Sequence, residues 1–205
     1  MEIGFYNAKY PFRKVLNFLL TYCKDKDPNH VSLALLPIGF LTALIYYFAP
    51  YYAGLYWVGI ILILLRMIVG TLDGMIAEHF NKQSAKGSIV NRITPEAADM
   101  MLMLAIIFAP PGYFKLGVLA LILCWGISYA GLIGLVGGKE IQSVGPVGQT
   151  DRIIALMILS LLQFFSVHYY WHFDFMKLFL WWIILGGIVT ITLRCYRILE
   201  HDEAR

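Results

Sequence analysis

Six stretches of about 20 mostly apolar residues follow one another through the chain, at roughly 31–49, 53–72, 88–109, 115–136, 153–171 and 176–193. A helix of that length crosses about 30 Å of hydrocarbon. A soluble fold of 205 residues has too little interior for its surface to hide such runs. With 60% apolar and only 14% charged residues, the chain must use lipid as its solvent. The expectation is an all-α integral membrane bundle of six transmembrane helices forming a single domain over 1–205. An N-terminal interfacial segment covers 1–30, the spans cover 31–193 and a cytoplasmic tail covers 194–205. Within the first segment, residues 10–24 mix Arg13, Lys14 and Lys24 with Leu, Phe and Tyr, as an amphipathic helix lying in the interface would.

Other classes are excluded early. A net charge of +3, dispersed among apolar runs, does not make a nucleic-acid surface. Cys23, Cys124 and Cys195 are far apart and form neither a disulfide framework nor a zinc pattern. The N-terminus lacks the charged start and cleavage site of a secretory signal, so the first apolar stretch is expected to stay in the mature protein. Of the 16 Lys and Arg residues, 13 fall at alternate span ends, from Lys9 through Lys139 to Arg205, and would all be cytoplasmic if both termini are inside. Lys115 and Lys177 would then be outside and Arg66 within a span. The aromatic clusters at 46–48, 51–52, 169–171 and 181–182 sit toward the outer edge, like an interfacial belt.

Ionisable groups inside spans cost roughly 2.5–3.5 kcal/mol each on insertion scales, so they mark function by default. Here they concentrate on the second and third spans. Arg66, Gly70, Asp73 and Ala77 share one helical stripe, and Arg92, Glu96 and Asp99 share another. Residues 80–87 make a short hairpin that lets the stripes face each other across a polar cavity open to the cytoplasm. The bland alternative is a closed ion network, with Arg92 on Glu96 and Asp99 and with Arg66 reaching toward Asp73.

The spacing carries a resemblance. Asp73-Gly74, Ala77, Glu78, then Gly87 and Asn91, resembles the D-x2-D-G-x2-A-R-x8-G-x3-D-x3-D signature of the CDP-alcohol phosphotransferases. Pro28-Asn29-His30-Val31-Ser32 resembles that family's entry to its first span, and Gly145 to Gly148 with Asp151 and Arg152 its entry to the fifth. The resemblance runs from about 27 to 195 and implies transfer of a substituted phosphate from a CDP-linked lipid or CDP-alcohol to an alcohol acceptor, with release of CMP, in phospholipid synthesis. It implies Mg²⁺ or Mn²⁺ at the motif aspartates, a cytoplasm-facing site in the bilayer and a homodimer.

The pattern departs from the family's at its centre. The four aspartates fall on Gly70, Asp73, Asn91 and Pro95, and the arginine on Glu78. A glycine offers no ligand, an asparagine only a neutral oxygen, and a proline neither ligand nor base. As implied by the resemblance, the metal set becomes Asp73, Asn91 and Asp99, holding one ion rather than two, with Glu78 as a further donor. Asp99 and Glu96 become the catalytic carboxylates, and Gly74, Ala77, Gly87, Lys86 and Arg152 the substrate contacts. Pro95 also removes the donor for the Asn91 backbone carbonyl, freeing it for a cation or water. His79 reads as a solvated loop residue, His168 and His172 as an interfacial pair, and Gly131, Gly134, Gly137 and Gly138 as packing glycines. The other functional reading is a catalytically silent relative, kept as a lipid- or nucleotide-binding scaffold. A small transporter is weaker, since no internal repeat is present.

Overall fold

A computed structural model describes residues 9–137, 141 and 143–200. The sequence expectations for residues 1–8, Gly138, Lys139 and 201–205 lie outside these. Eight α-helices are described: α1 (Lys9–Leu20), α2 (Pro28–Leu33), α3 (Leu35–Phe48), α4 (Leu55–His79), α5 (Ala85–Phe108), α6 (Phe114–Ile133), α7 (Gln149–His168) and α8 (Phe175–Glu200). No strand is found among the described residues. Among the described residues five segments are long and apolar enough to cross a membrane: Pro28–Phe48, Leu55–His79, Phe114–Val136, Gln149–His168 and Phe175–Glu200. α5, at 24 residues, is long enough, but Lys86, Arg92, Glu96 and Asp99 keep it from being as apolar as the others.

Several bounds differ from the sequence reading. α4 runs through Asp73 to His79 and α8 runs on to Glu200, because helical hydrogen bonding continues beyond the apolar stretch. The stretch 153–171 begins earlier and ends earlier, as α7, at His168. There the chain turns through left-handed backbone at Tyr170 and His172, and the Trp171 amide donates to the Ser166 carbonyl.

The chain divides into two compact units, one over Ala8–Gly112 and one from Tyr113 onward. In the first, Asp27 caps α2 by accepting from the Asn29 amide at 2.8 Å, with Pro28 in the first helical position. α3 packs on both α4 and α5. Against α4, buried Tyr46 covers Gly59, where a Cβ would lie 2.6 Å from the ring. Against α5, Gly39 meets Ala98, where a Cβ would lie 2.6 Å from the Ala98 Cβ and 2.8 Å from its Cα. α4 and α5 touch each other far less than either touches α3, so a cleft runs between them. α1 lies on α4: Leu16 and Leu20 pack with Leu72, Met75 and Ile76, while Val15, Phe18 and Tyr22 remain exposed.

In the second unit, α8 packs on α6 and α7. The loop before α7 is seated on α8. Gly145, at φ +118°, passes so close to Thr190 that a Cβ would fall 2.4 Å away, and the Thr190 hydroxyl accepts from the Val147 amide at 3.2 Å. Buried Arg194 donates to the carbonyls of Val144 and Ile127 at 2.9 and 2.7 Å. At the other end, Tyr113 donates to Asp174, which also accepts from the Lys177 amide.

Gly39→Ala is a direct test of the α3–α5 contact. Alanine gains up to about 1 kcal/mol in helix propensity, but the opposing atoms are a Cα and its Cβ, which cannot swing away. Overpacking of about 1–3 kcal/mol should win. The melting temperature in detergent should fall, while Gly54→Ala, which meets nothing within 4 Å, should leave it unchanged.

Candidate functional site

The polar residues singled out in the sequence gather in the first unit, where α2, α4 and α5 meet. Asp73 is 1% exposed. Its carboxylate accepts from the Ser32 hydroxyl at 2.5 Å and from the Gly74 amide at 2.6 Å. Burial of a charged carboxylate demands such donors. One helical step on, a Cβ at Gly74 would lie 3.9 Å from the Asn91 side-chain nitrogen, so α4 and α5 approach each other there. Gly87, in the first turn of α5, lies beside Asn29 and Ser84: a Cβ would meet their side-chain oxygens at 3.1 and 3.0 Å. Ser84 caps α5 by accepting from the Gly87 amide. The residues Asn29, Ser32, Asp73, Gly74, Gly87 and Asn91 are thus neighbours, although they come from three helices.

Two turns deeper, Arg66 on α4 forms an ion pair with Asp99 on α5 and donates to the Pro95 carbonyl at 3.1 Å. The two side chains are 8% and 12% exposed. Arg66 thus pairs with Asp99, where the closed ion network had it reaching toward Asp73, and the carboxylate expected beside Asp73 and Asn91 is engaged by a guanidinium. Antiparallel helices place Arg66 opposite Asp99 and Gly74 opposite Asn91, which leaves Asp99 about 10 Å along the helix from the level of Asp73. The same register sets Arg92 opposite Asp73. Among the described residues Arg92 makes no ion pair, and its Nε is buried without a hydrogen bond. The expected pairing of Arg92 with Glu96 and Asp99 is therefore replaced by one between Arg66 and Asp99. Glu96 lies half-buried on the same face of α5 as Arg92.

The remaining candidates are distributed as follows. Glu78 is exposed and pairs with Arg13 of α1, away from Asp73. Ala77 is half-buried one turn from Asp73, and Lys86 is exposed in the first turn of α5. Lys82 donates to the carbonyls of Lys24 and Lys26 at 2.7 and 2.9 Å, which ties the hairpin to the link between α1 and α2. Arg152 is buried in the first turn of α7, in the second unit, next to Asp151, which accepts from the Gly148 amide at 2.8 Å. His79 lies edge-on to Phe80, and His168 stacks on Phe164.

This donor set does not make a two-ion centre. Among the described residues no three His, Cys, Asp or Glu side chains are grouped to hold a metal. Asp73 is the one motif carboxylate, and Asp99 is held by a guanidinium. One carboxylate with the neutral oxygen of Asn91 suits at most a single Mg²⁺ or Mn²⁺, of the kind that keeps waters and takes its other ligands from phosphate. Sequence reasoning assigns Asn29 and Ser32 no role, and the signal that could have found them is their place in the Pro28–Ser32 stretch that resembles the family's entry to its first span. Arg92 appeared only as an ion partner.

Breaking the deep pair should show its structural weight. Arg66→Met or Asp99→Leu alone leaves one charge stranded and should cost about 3–5 kcal/mol, whereas the double variant should recover most of that loss. Thermal unfolding of the three variants in detergent measures it. A double variant no better than the singles would mean the two charges are not coupled.

No family model matches the chain. The inner membrane protein YnbA of Escherichia coli (strain K12) is 30% identical over 151 residues, which are 73% of this chain and 75% of that protein. Two crystal structures of Mycobacterium tuberculosis phosphatidylinositol phosphate synthase (PgsA1) share the fold. The one with CDP-DAG bound is 14% identical, with a TM-score of 0.69 over 93% of this chain and 92% of that one. The one in complex with manganese and citrate is 13% identical, with a TM-score of 0.70 over 93% and 88%. Its apolar helices and its relative make the chain a membrane protein. It belongs to the family of YnbA and has the fold of the CDP-alcohol phosphotransferases.

Proposed function

We propose that the protein transfers a substituted phosphate group from a CDP-linked lipid to an alcohol acceptor and releases CMP, as a transferase of phospholipid synthesis. The observation that carries this reading is the convergence of Asn29, Ser32, Asp73, Gly74, Gly87 and Asn91 at one end of the α4–α5 cleft. The synthase of the same fold is described with CDP-DAG bound, which supports a CDP-linked lipid as donor.

In this reading the acceptor oxygen attacks the phosphorus nearer the lipid, the bond from that phosphorus to the CMP oxygen breaks, and the acceptor proton goes to a carboxylate. Glu96 takes that role, with Asp99 available only if it leaves Arg66. Asp73 and Asn91 would hold a single Mg²⁺ or Mn²⁺, which when bound offsets charge on the diphosphate and its leaving oxygen. The glycines at 74 and 87 let a ligand come against the backbone, and Ala77 and Lys86 line the way in. Ser32 holds the Asp73 carboxylate in one orientation.

The proposal extends to topology. Residues 1–205 form one membrane domain in which α5 is the sixth span, tolerated because its Asp99 is neutralised by Arg66. α1 lies in the interface, its exposed Val15 and Phe18 and the Tyr22 that follows it facing lipid beside Lys14. Arg13, Lys14, Lys24, Lys26, Lys82 and Lys86 then fall on the cytoplasmic side with both termini and the site. A homodimer follows from the family likeness.

The second reading, a silent relative that binds lipid or nucleotide without turning it over, is favoured by two observations: Pro95 stands where the family has an acid, and Asp99 is already in an ion pair. Purified protein with Mn²⁺ and a panel of alcohols should release CMP from CDP-DAG. Asp73→Asn should lower the rate at least a hundredfold, and Glu96→Gln about as much, in line with removal of a charge-stabilising ligand or a general base. No CMP from any acceptor, with CDP-DAG still bound, would decide for the silent relative.

A further inference from the structure

Arg92 has no role in that account, yet its surroundings are unusual. The pairs Arg66 with Asp99 and Gly74 with Asn91 fix the register of α4 against α5, and in that register Arg92 lies across the cleft from Asp73. It shares the α4-facing stripe of α5 with Asp99, seven residues on. Its stem is drawn in far enough that Nε is buried without a hydrogen bond, and it makes no ion pair among the described residues. Asp99, the carboxylate on its own stripe, is taken by Arg66. On the α4 side the wall carries glycines in place of larger side chains. Gly70 is exposed, with only Leu35 side-chain carbons at 3.6 and 3.7 Å from where a Cβ would be, and Gly74 has its nearest neighbour at 3.9 Å.

Resting on the functional reading above, we propose that Arg92 supplies the fixed positive charge that holds a nucleoside diphosphate group in the α4–α5 cleft, in place of one of two metal ions. The substitutions on this chain make such a replacement necessary. With Gly70, Asn91 and Pro95 at three of four aspartate positions, a second divalent ion has no carboxylate to hold it. A diphosphate still needs its charge offset where water is scarce. A guanidinium does this without ligands of its own, and its planar fork bonds two phosphate oxygens at once. Arg92 extends from the helix that also carries Asn91 and Gly87, so the cation is built into the wall rather than recruited.

The test separates the guanidinium from the metal. CDP is titrated into the detergent-purified full chain, once in EDTA and once in Mn²⁺, with affinity read by calorimetry. The wild type should bind CDP in EDTA and more tightly in Mn²⁺. Arg92→Gln, which keeps a polar side chain but neither the charge nor the reach, should weaken binding about tenfold or more in both buffers, on the scale of a lost charge-assisted hydrogen bond. Arg92→Lys, which keeps charge but not the fork, should lose less, and its unchanged melting temperature would exclude misfolding. Asp73→Asn should remove the gain from Mn²⁺ and leave EDTA binding in place. Arg92→Gln binding as tightly as the wild type in EDTA overturns the proposal, as does a wild type that binds only with Mn²⁺. The second outcome leaves the transferase reading standing, whereas absence of CDP binding in either buffer removes that reading and this one together.

Discussion

The buried pair between Arg66 and Asp99 sets the terms for the rest of the first unit. α5 carries four ionisable side chains, Lys86, Arg92, Glu96 and Asp99, and each charge left unmatched in hydrocarbon costs kilocalories. Arg66 meets the deepest of them from α4 and uses a spare donor on the Pro95 carbonyl. A pair of this kind is weak evidence for net stability, because desolvation offsets most of the Coulomb gain. Its effect is on specificity: once Arg66 must face Asp99, the antiparallel register is decided, and with it which residues meet at the open end of the cleft.

That cleft exists because α5 leans on α3 rather than on α4. Gly39 lets the Ala98 backbone come in, Gly59 receives the Tyr46 ring, and α3 therefore stands between its neighbours like a spine. Had α4 and α5 packed directly, their facing stripes of Asp73, Arg92 and Glu96 would have been pressed together without water. Splaying them leaves room for solvent or an anion where the charges are, while Ser32 and the Gly74 amide keep Asp73 satisfied.

Much of this could be read from residue patterns, and what could not has a physical reason. Apolar length identified the five helices that are apolar enough to cross a membrane, since it depends only on local composition, and the glycine and asparagine offsets fall where α2, α4 and α5 meet. The partner of Arg66 was not legible. Stripes with i, i+4, i+7 spacing on two helices can pair in several registers, and spacing does not reveal which of them brings Arg66 to Asp99. Glu78 was open to a ligand role for the same reason, because its partner Arg13 comes from a helix 65 residues away. The helical bounds erred where hydrogen bonding outruns hydrophobicity, at the ends of α4 and α8.

The substitutions at the motif also form a consistent electrostatic set. The family's signature places four aspartates and one arginine together, a formal charge of −4 + 1 = −3, which two divalent ions more than balance. Here the groups facing the cleft are Asp73, Glu96 and Asp99 against Arg66 and Arg92, or −3 + 2 = −1. With two divalent ions and a diphosphate of −2 the signature comes to −3 + 4 − 2 = −1, whereas two ions here would give −1 + 4 − 2 = +1. One ion suffices for the same balance here, −1 + 2 − 2 = −1. The missing aspartates and the arginines at 66 and 92 thus act in one direction, since together they lower by one the number of divalent ions that a bound diphosphate needs to reach that balance.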